Sequence, residues 1–256
     1  MTLLIWTCSP LEQFEVQNLI SLQIPIIGLN ISLTNLGFNT LITLFILMTL
    51  HMIGFAKSQI MMSNRLSLFM ESMYATINTM VREQIGSRNE IYLPFIYALF
   101  TFILAINLVG NIPYTFTVAT SAVVSLGISV IIWLGVTVLS MDRHRLHFMS
   151  YFVPAGTPLM LVPVLVLIEL ISYIARAVSL GVRLFANLVS GHCLILILGG
   201  FLYSGLTSGA VIFIATLVPI TLFLLIVGLE IAVSFIQAYV FTILVCIYIK
   251  DSIDLH

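Results

Sequence analysis

Apolar residues fall in five long stretches broken by short polar segments. The first runs over roughly 35–56 (NLGFNTLITLFILMTLHMIGFA), the second over roughly 91–111 and the third over roughly 117–140. Each is about as long as the 20 or so residues that a helix needs to cross a bilayer. The segment GNIPYTFT, with the helix breaker Pro113, turns the chain between the second and third stretches, so 91–140 reads as a helical hairpin. Two much longer stretches follow, over roughly 157–203 and 209–249, and FLYSGLTSG between them reads as a turn. Forty helical residues extend about 60 Å, twice the hydrocarbon thickness of about 30 Å. Residues 157–250 are therefore expected to form a long, steeply tilted, membrane-embedded hairpin.

The pattern changes between the first two stretches. Leu66, Phe69, Met70, Met73, Ile77, Met80 and Val81 recur at helical spacing, with Arg65, Glu71, Asn78, Arg82 and Glu83 among them. This predicts an amphipathic helix over roughly 62–87, lying on the membrane surface or, alternatively, facing a partner. The expected fold is an all-α membrane protein: five membrane helices and one surface helix in a single domain over 1–256, with no internal repeat.

Composition points the same way. The chain is 61% hydrophobic and 7% charged, whereas a soluble domain carries about 25% charged residues. Nine basic and ten acidic side chains cannot cover a soluble protein of this size, so lipid is the solvent. A net charge of -1 gives no sign of nucleic-acid binding. Cys8, Cys193 and Cys246 lie far apart and form neither a metal spacing nor a disulfide framework. The N-terminus lacks both the basic start of a secretory signal and the arginines of an import sequence, which implies synthesis beside its own membrane.

Basic residues set the expected orientation. Lys57, Arg65, Arg82 and Arg88 lie between the first two stretches, and Arg143 and Arg145 follow the third. The N-terminal tail and the 110–117 turn carry none. The positive-inside rule puts 57–90 and 141–150 on the cytoplasmic or matrix side and the N-terminus outside; five crossings then bring 250–256 inside. Asp142–His147 reads as a solvated loop and His51 as an interfacial residue.

Ionisable residues inside spans are costly and usually functional. The fourth stretch holds Glu169, Arg176, Arg183 and His192; the fifth holds Glu230 and Gln237, with Asp251 just beyond. Glu169, Arg176 and Arg183 are spaced by two helical turns and share one face. In an antiparallel pair, residues at one level have nearly constant number sums. Arg183 with Gln237 and Glu169 with Asp251 have the same sum, and His192 with Glu230 comes within two of it. One register thus stacks three polar tiers, with Arg183 between a pair on each side. A guanidinium cannot pass a proton by titrating; an imidazole and a carboxylate can.

SLGVRLFANLVSGH (179–192) resembles the signature of subunit a of F-type ATP synthase, the stator that conducts protons to the rotating c-ring. LVGNIPYTFTVATS (108–121), the spacing of Glu230 and Gln237 and the five-span plan carry the same resemblance. The His192/Glu230 combination is similar to mitochondrial members, and SPLEQFEV (9–16) resembles the start of the mature fungal subunit, which implies a short removable leader over 1–8. The resemblance implies roles by position. Arg183 would face the c-ring carboxylate with Gln237 beside it; His192 and Glu230 would form the inlet from the intermembrane space; Glu169 and Asp251 the outlet to the matrix; and Arg176 matches a second mitochondrial arginine. Asn187, one turn beyond Arg183, either bonds near it or only packs. The implied partners are subunit c, the peripheral stalk, other Fo subunits and lipid, in the mitochondrial inner membrane. No cofactor, metal or catalytic residue is expected.

Blander readings stand beside these. Arg176 and Glu169 could form a structural pair, His192 could be a packed histidine, and Asp251 beside Lys250 a solvated helix end. A secondary proton-coupled transporter would show internal repeats and broken helices. A haem-binding subunit would need paired histidines, but only His51 and His192 lie in spans. A purely structural subunit would not need three polar tiers.

Overall fold

The computed structural model describes residues 12–24, 29–58, 65–112, 115–145, 161–207 and 216–253. The expected leader over 1–8 lies outside them, as do 157–160 of the fourth stretch and 209–215 of the fifth. Among the described residues, six α-helices follow in order: α1 (Asn35–Ser58), α2 (Arg65–Gln84), α3 (Leu93–Gly110), α4 (Ala122–His144), α5 (Val162–Thr207) and α6 (Leu217–Ile253). Five of the described helical segments are long and apolar enough to cross a membrane, and α2 is not among them. The 46 residues of α5 run about 69 Å and the 37 of α6 about 55 Å.

Three boundaries differ from expectation. FLYSGLTSG is not a turn from its first residue, because α5 continues through Thr207. Gly205 disfavours helix by only about 1 kcal/mol relative to alanine, too little to stop so long a segment. The third stretch does not begin as α-helix: Val118–Thr120 form a 3-10 turn, and α4 starts at Ala122. Asp142 and His144 are not in a solvated loop, since α4 runs to His144. The His144 Nε2 lies 3.2 Å from the carbonyls of Ser252 and Ile253, where it can donate to the open C-terminal end of α6.

The core joins α3, α4, α5, α6 and the C-terminal half of α2. Ile96 and Ile103 of α3, Leu180 and Leu184 of α5 and Phe241 and Val245 of α6 are buried in one cluster with Ile77 and Val81 of α2. The amphipathic stripe of α2 is thereby divided. Ile77, Met80 and Val81 are covered by protein, while Phe69 near its start stays exposed. Helix α1 sits at the margin with Leu41, Phe45 and Met48 exposed, as suits a lipid-facing helix.

Helices α4 and α5 meet through small residues. Ser125, Ser129, Ile132, Val136 and Ser140 form the buried stripe of α4. A Cβ at Gly181 would stand 2.9 Å from the Leu126 Cα and 2.5 Å from the Ser129 Oγ, so only glycine allows this approach of the two backbones. A two-stranded antiparallel hairpin, β1 (Asn18–Ile24) and β2 (Leu29–Thr34), precedes α1 and was not expected. The Thr34 Oγ1 accepts from the Gly37 N–H at 3.3 Å and caps α1. Asn35 donates through Nδ2 to the Glu15 carbonyl at 3.1 Å and accepts from the Gln17 N–H at 3.2 Å, tying the N-terminal segment to the same helix end.

Candidate functional site

Helices α5 and α6 run antiparallel and bring the polar residues of the two long stretches into two clusters. In the first, the His192 Nδ1 lies 3.6 Å from the Glu230 Oε1. Glu230 is only 6% exposed, so its carboxyl is screened from bulk solvent, with this imidazole as its charge partner. The close fit depends on Gly191: a Cβ there would stand 2.8 Å from the Glu230 Oε1. Gly191→Ala is expected to push the carboxyl off its rotamer and slow transport about two- to tenfold. Proton pumping normalised to assembled complex checks this, and an unchanged rate would show that the carboxyl has room to move.

Polar residues of α3 and the following turn complete this cluster; being neutral, they leave no mark in the pattern of charges along the spans. The Asn111 Nδ2 donates to the Ser234 Oγ at 2.9 Å, and the Asn107 Nδ2 to the Ser234 carbonyl at 3.4 Å. The Thr117 Oγ1 lies 3.0 Å from the His192 Nε2. Three of the six buried side-chain polar atoms without a hydrogen-bond partner among the described residues lie here: Asn107 Oδ1, Asn111 Oδ1 and Glu230 Oε1. Buried polar atoms in native proteins are normally served by protein or water, so this cluster is suited to hold water. The missed signal was Ser234, one turn after Glu230 and on its face, together with the asparagines at the end of the second stretch.

Arg176 organises the second cluster. Its Nη1 lies 3.4 Å from the Asp251 Oδ2 and its Nη2 3.7 Å from the Glu169 Oε1. Glu169 and Asp251 are therefore brought together, as the register predicts, but through Arg176. All three side chains are about one-third exposed. A cleft beside them is lined by Trp133, Tyr173, Arg176, Tyr248, Asp251 and Ser252. The Tyr173 hydroxyl also meets the Thr137 Oγ1 at 2.9 Å, fixing α4 against α5.

The middle tier differs from expectation. Gln237 is buried, and its Oε1 accepts from the Asn187 Nδ2 at 2.9 Å. The residue that bonds Gln237 is thus Asn187, one turn beyond Arg183. Arg183 is exposed and makes no hydrogen bond or ion pair with any described residue. Together with Asn187 and Ser190 it forms an open polar strip on α5 between the two clusters.

The ATP synthase A chain family matches residues 37–250. The chain belongs to the ATP synthase A chain family. It is 57% identical to the ATP synthase subunit a of Mycosarcoma maydis over 249 residues, covering 97% of this chain and 98% of that one. It is 48% identical to the subunit a of Trichophyton rubrum, with 97% of each chain covered. Over 97% of its length it is 42% identical to that of Marchantia polymorpha, of which 99% is covered. As a subunit a, the chain is the proton-conducting component of the membrane-embedded Fo part of ATP synthase, and no feature favours the secondary-transporter alternative. The haem alternative gains nothing either, because both His51 nitrogens already face protein groups: the Leu47 carbonyl at 2.9 Å and the Tyr97 hydroxyl at 3.2 Å. The family match over 37–250 includes the open strip of α5 and both clusters except Asp251.

Proposed function

We propose that the two clusters are the half-channels of the subunit a stator and that Arg183 is the divider between them. The observation that carries this reading is an exposed guanidinium on α5, without a hydrogen bond or ion pair among the described residues, between two polar clusters of the same hairpin. His192 and Glu230 form the inlet from the intermembrane space. Glu169, Arg176 and Asp251 form the outlet to the matrix. Gln237 and Asn187 set the level between them. The chain lies in the mitochondrial inner membrane as a single membrane domain, with its N-terminus in the intermembrane space and its C-terminus in the matrix. It catalyses no bond-making on nucleotide; it conducts protons for a complex that does. Its partners are the c-ring, the peripheral stalk, other Fo subunits and lipid.

The chemistry follows from burial. A c-ring carboxyl facing lipid stays protonated, because an unpaired charge there is prohibitive. Beside Arg183 its ionised form is favoured, so it releases a proton toward one cluster and is reloaded from the other. Arg183 keeps its own charge throughout and repels free protons, so transfer between clusters requires the ring to turn. The membrane potential supplies about 2.3 kcal/mol per proton per 100 mV.

The test is contact with the ring. Ser190 is an exposed member of the Arg183 strip, and Ala186 is exposed beside it. With the native cysteines replaced by alanine, Ala186→Cys and Ser190→Cys are each expected to form an oxidative cross-link to a cysteine placed beside the carboxyl on the ring helix. Failure of both to cross-link in assembled complex would remove this face from the rotor interface.

A further inference from the structure

We propose that Thr117 is a positioning residue that fixes the tautomer of His192, leaving Nδ1 as the nitrogen that exchanges a proton with Glu230. This rests on the reading of His192 and Glu230 as the inlet.

Thr117 lies just before the 3-10 turn Val118–Thr120, in the segment that carries the chain from α3 to α4. It is buried. Its hydroxyl faces two groups: the Gly110 carbonyl at 3.3 Å and the His192 Nε2 at 3.0 Å. A hydroxyl has one proton to donate, and a carbonyl can only accept. Gly110 is the last residue of α3, and its carbonyl lies beyond the helical ladder. Leaving a buried carbonyl unserved is disfavoured, so the hydroxyl proton goes to Gly110. The Thr117 oxygen is then an acceptor, and His192 must supply the proton at Nε2.

In a neutral imidazole, one nitrogen with a proton leaves the other as a bare lone pair. With Nε2–H committed to Thr117, that lone pair is on Nδ1, which faces the Glu230 Oε1 at 3.6 Å. The Glu230 Oε1 has no hydrogen-bond partner among the described residues, so no described protein group competes with His192 for it. Transfer, once the pair closes from 3.6 Å to hydrogen-bond distance or through one bridging water, breaks the carboxyl O–H bond and forms N–H at Nδ1. It leaves a carboxylate beside an imidazolium, and the reverse step restores both neutral groups. Throughout, the Nε2 proton stays donated to Thr117, so the ring does not have to flip. The other tautomer would aim N–H at the protonated carboxyl and block acceptance. The remaining described ring near His192 is Phe14, whose centroid lies 6.4 Å away and which carries no titratable group.

The test uses the assembled complex in inner-membrane vesicles, with ATP-driven proton pumping normalised to complex content. Thr117→Val keeps the shape and removes the hydroxyl; Thr117→Ser keeps the hydroxyl. Valine is expected to slow pumping about three- to tenfold, the worth of one hydrogen bond, while serine retains the rate. In a His192→Ala background, Thr117→Val should add nothing, since the two act as a unit. Equal losses for valine and serine would assign Thr117 a packing role and overturn the proposal, as would a full extra loss from valine in the His192→Ala background. Normal pumping in Thr117→Val with impaired pumping in His192→Ala overturns the Thr117 role alone, whereas normal pumping in His192→Ala removes the inlet reading itself.

Discussion

Arg183→Ala is expected to abolish coupled proton pumping while the complex still assembles. Assembly should survive because the guanidinium is exposed on α5 and bonds to no described residue, so its removal breaks no contact of the fold. Surface substitutions of that kind usually stay within about 0.5 kcal/mol. Function should not survive. Two unit charges about 4 Å apart attract by roughly 4 kcal/mol at an effective dielectric constant of about 20. That attraction favours the ionised ring carboxyl by about a thousandfold, and without it the proton has no reason to leave at this level. The barrier between the clusters also falls, so a leak down the potential replaces obligatory rotation. ATP-driven acidification of vesicles measures coupling, and dissipation of an imposed potential measures the leak. Normal coupled pumping by the variant would end the divider role.

The spans were legible because the membrane imposes their length and composition, and five apolar stretches have no other use in a chain with so few charges. The N-terminal strand pair was passed over for a related reason. ISLQI and LNISLT alternate apolar and polar residues with the period of a strand, but neither approaches the length of a span. The tiers were legible as far as charge carries them. His192 meets Glu230, and Glu169 and Asp251 converge. What the number sums miss is side-chain reach. Helical side chains lean toward the N-terminus of their own helix. In an antiparallel pair, long side chains therefore meet partners at larger number sums than short ones, and Arg176 reaches Asp251 in this way. Gln237 and Asn187 both stood out by position, but their bond to each other did not, since both are neutral amides and a charge pattern pairs neither. Thr117 and Ser234 were invisible for the same reason: a hydroxyl in an apolar run costs little and stands out only when its partner is known.

Glu230→Gln is expected to slow proton flux about a hundredfold in both directions, near the low end of what a positioned acid or base contributes. Glutamine has nearly the same shape, which matters where a Cβ at Gly191 would already stand 2.8 Å from the carboxyl. The fold should therefore accept it, and the amount of assembled complex should hold. An amide cannot release a proton, so His192 would lose its exchange partner while Arg183 keeps dividing the clusters. The two variants should then fail differently. Arg183→Ala loses coupling and leaks; Glu230→Gln stays coupled and tight but turns over slowly, in synthesis as in hydrolysis, because a single pathway must carry both directions. Slowing confined to one direction would mean that protons enter and leave the first cluster by separate routes. Unchanged flux would take Glu230 off the pathway and leave its burial beside His192 as packing alone.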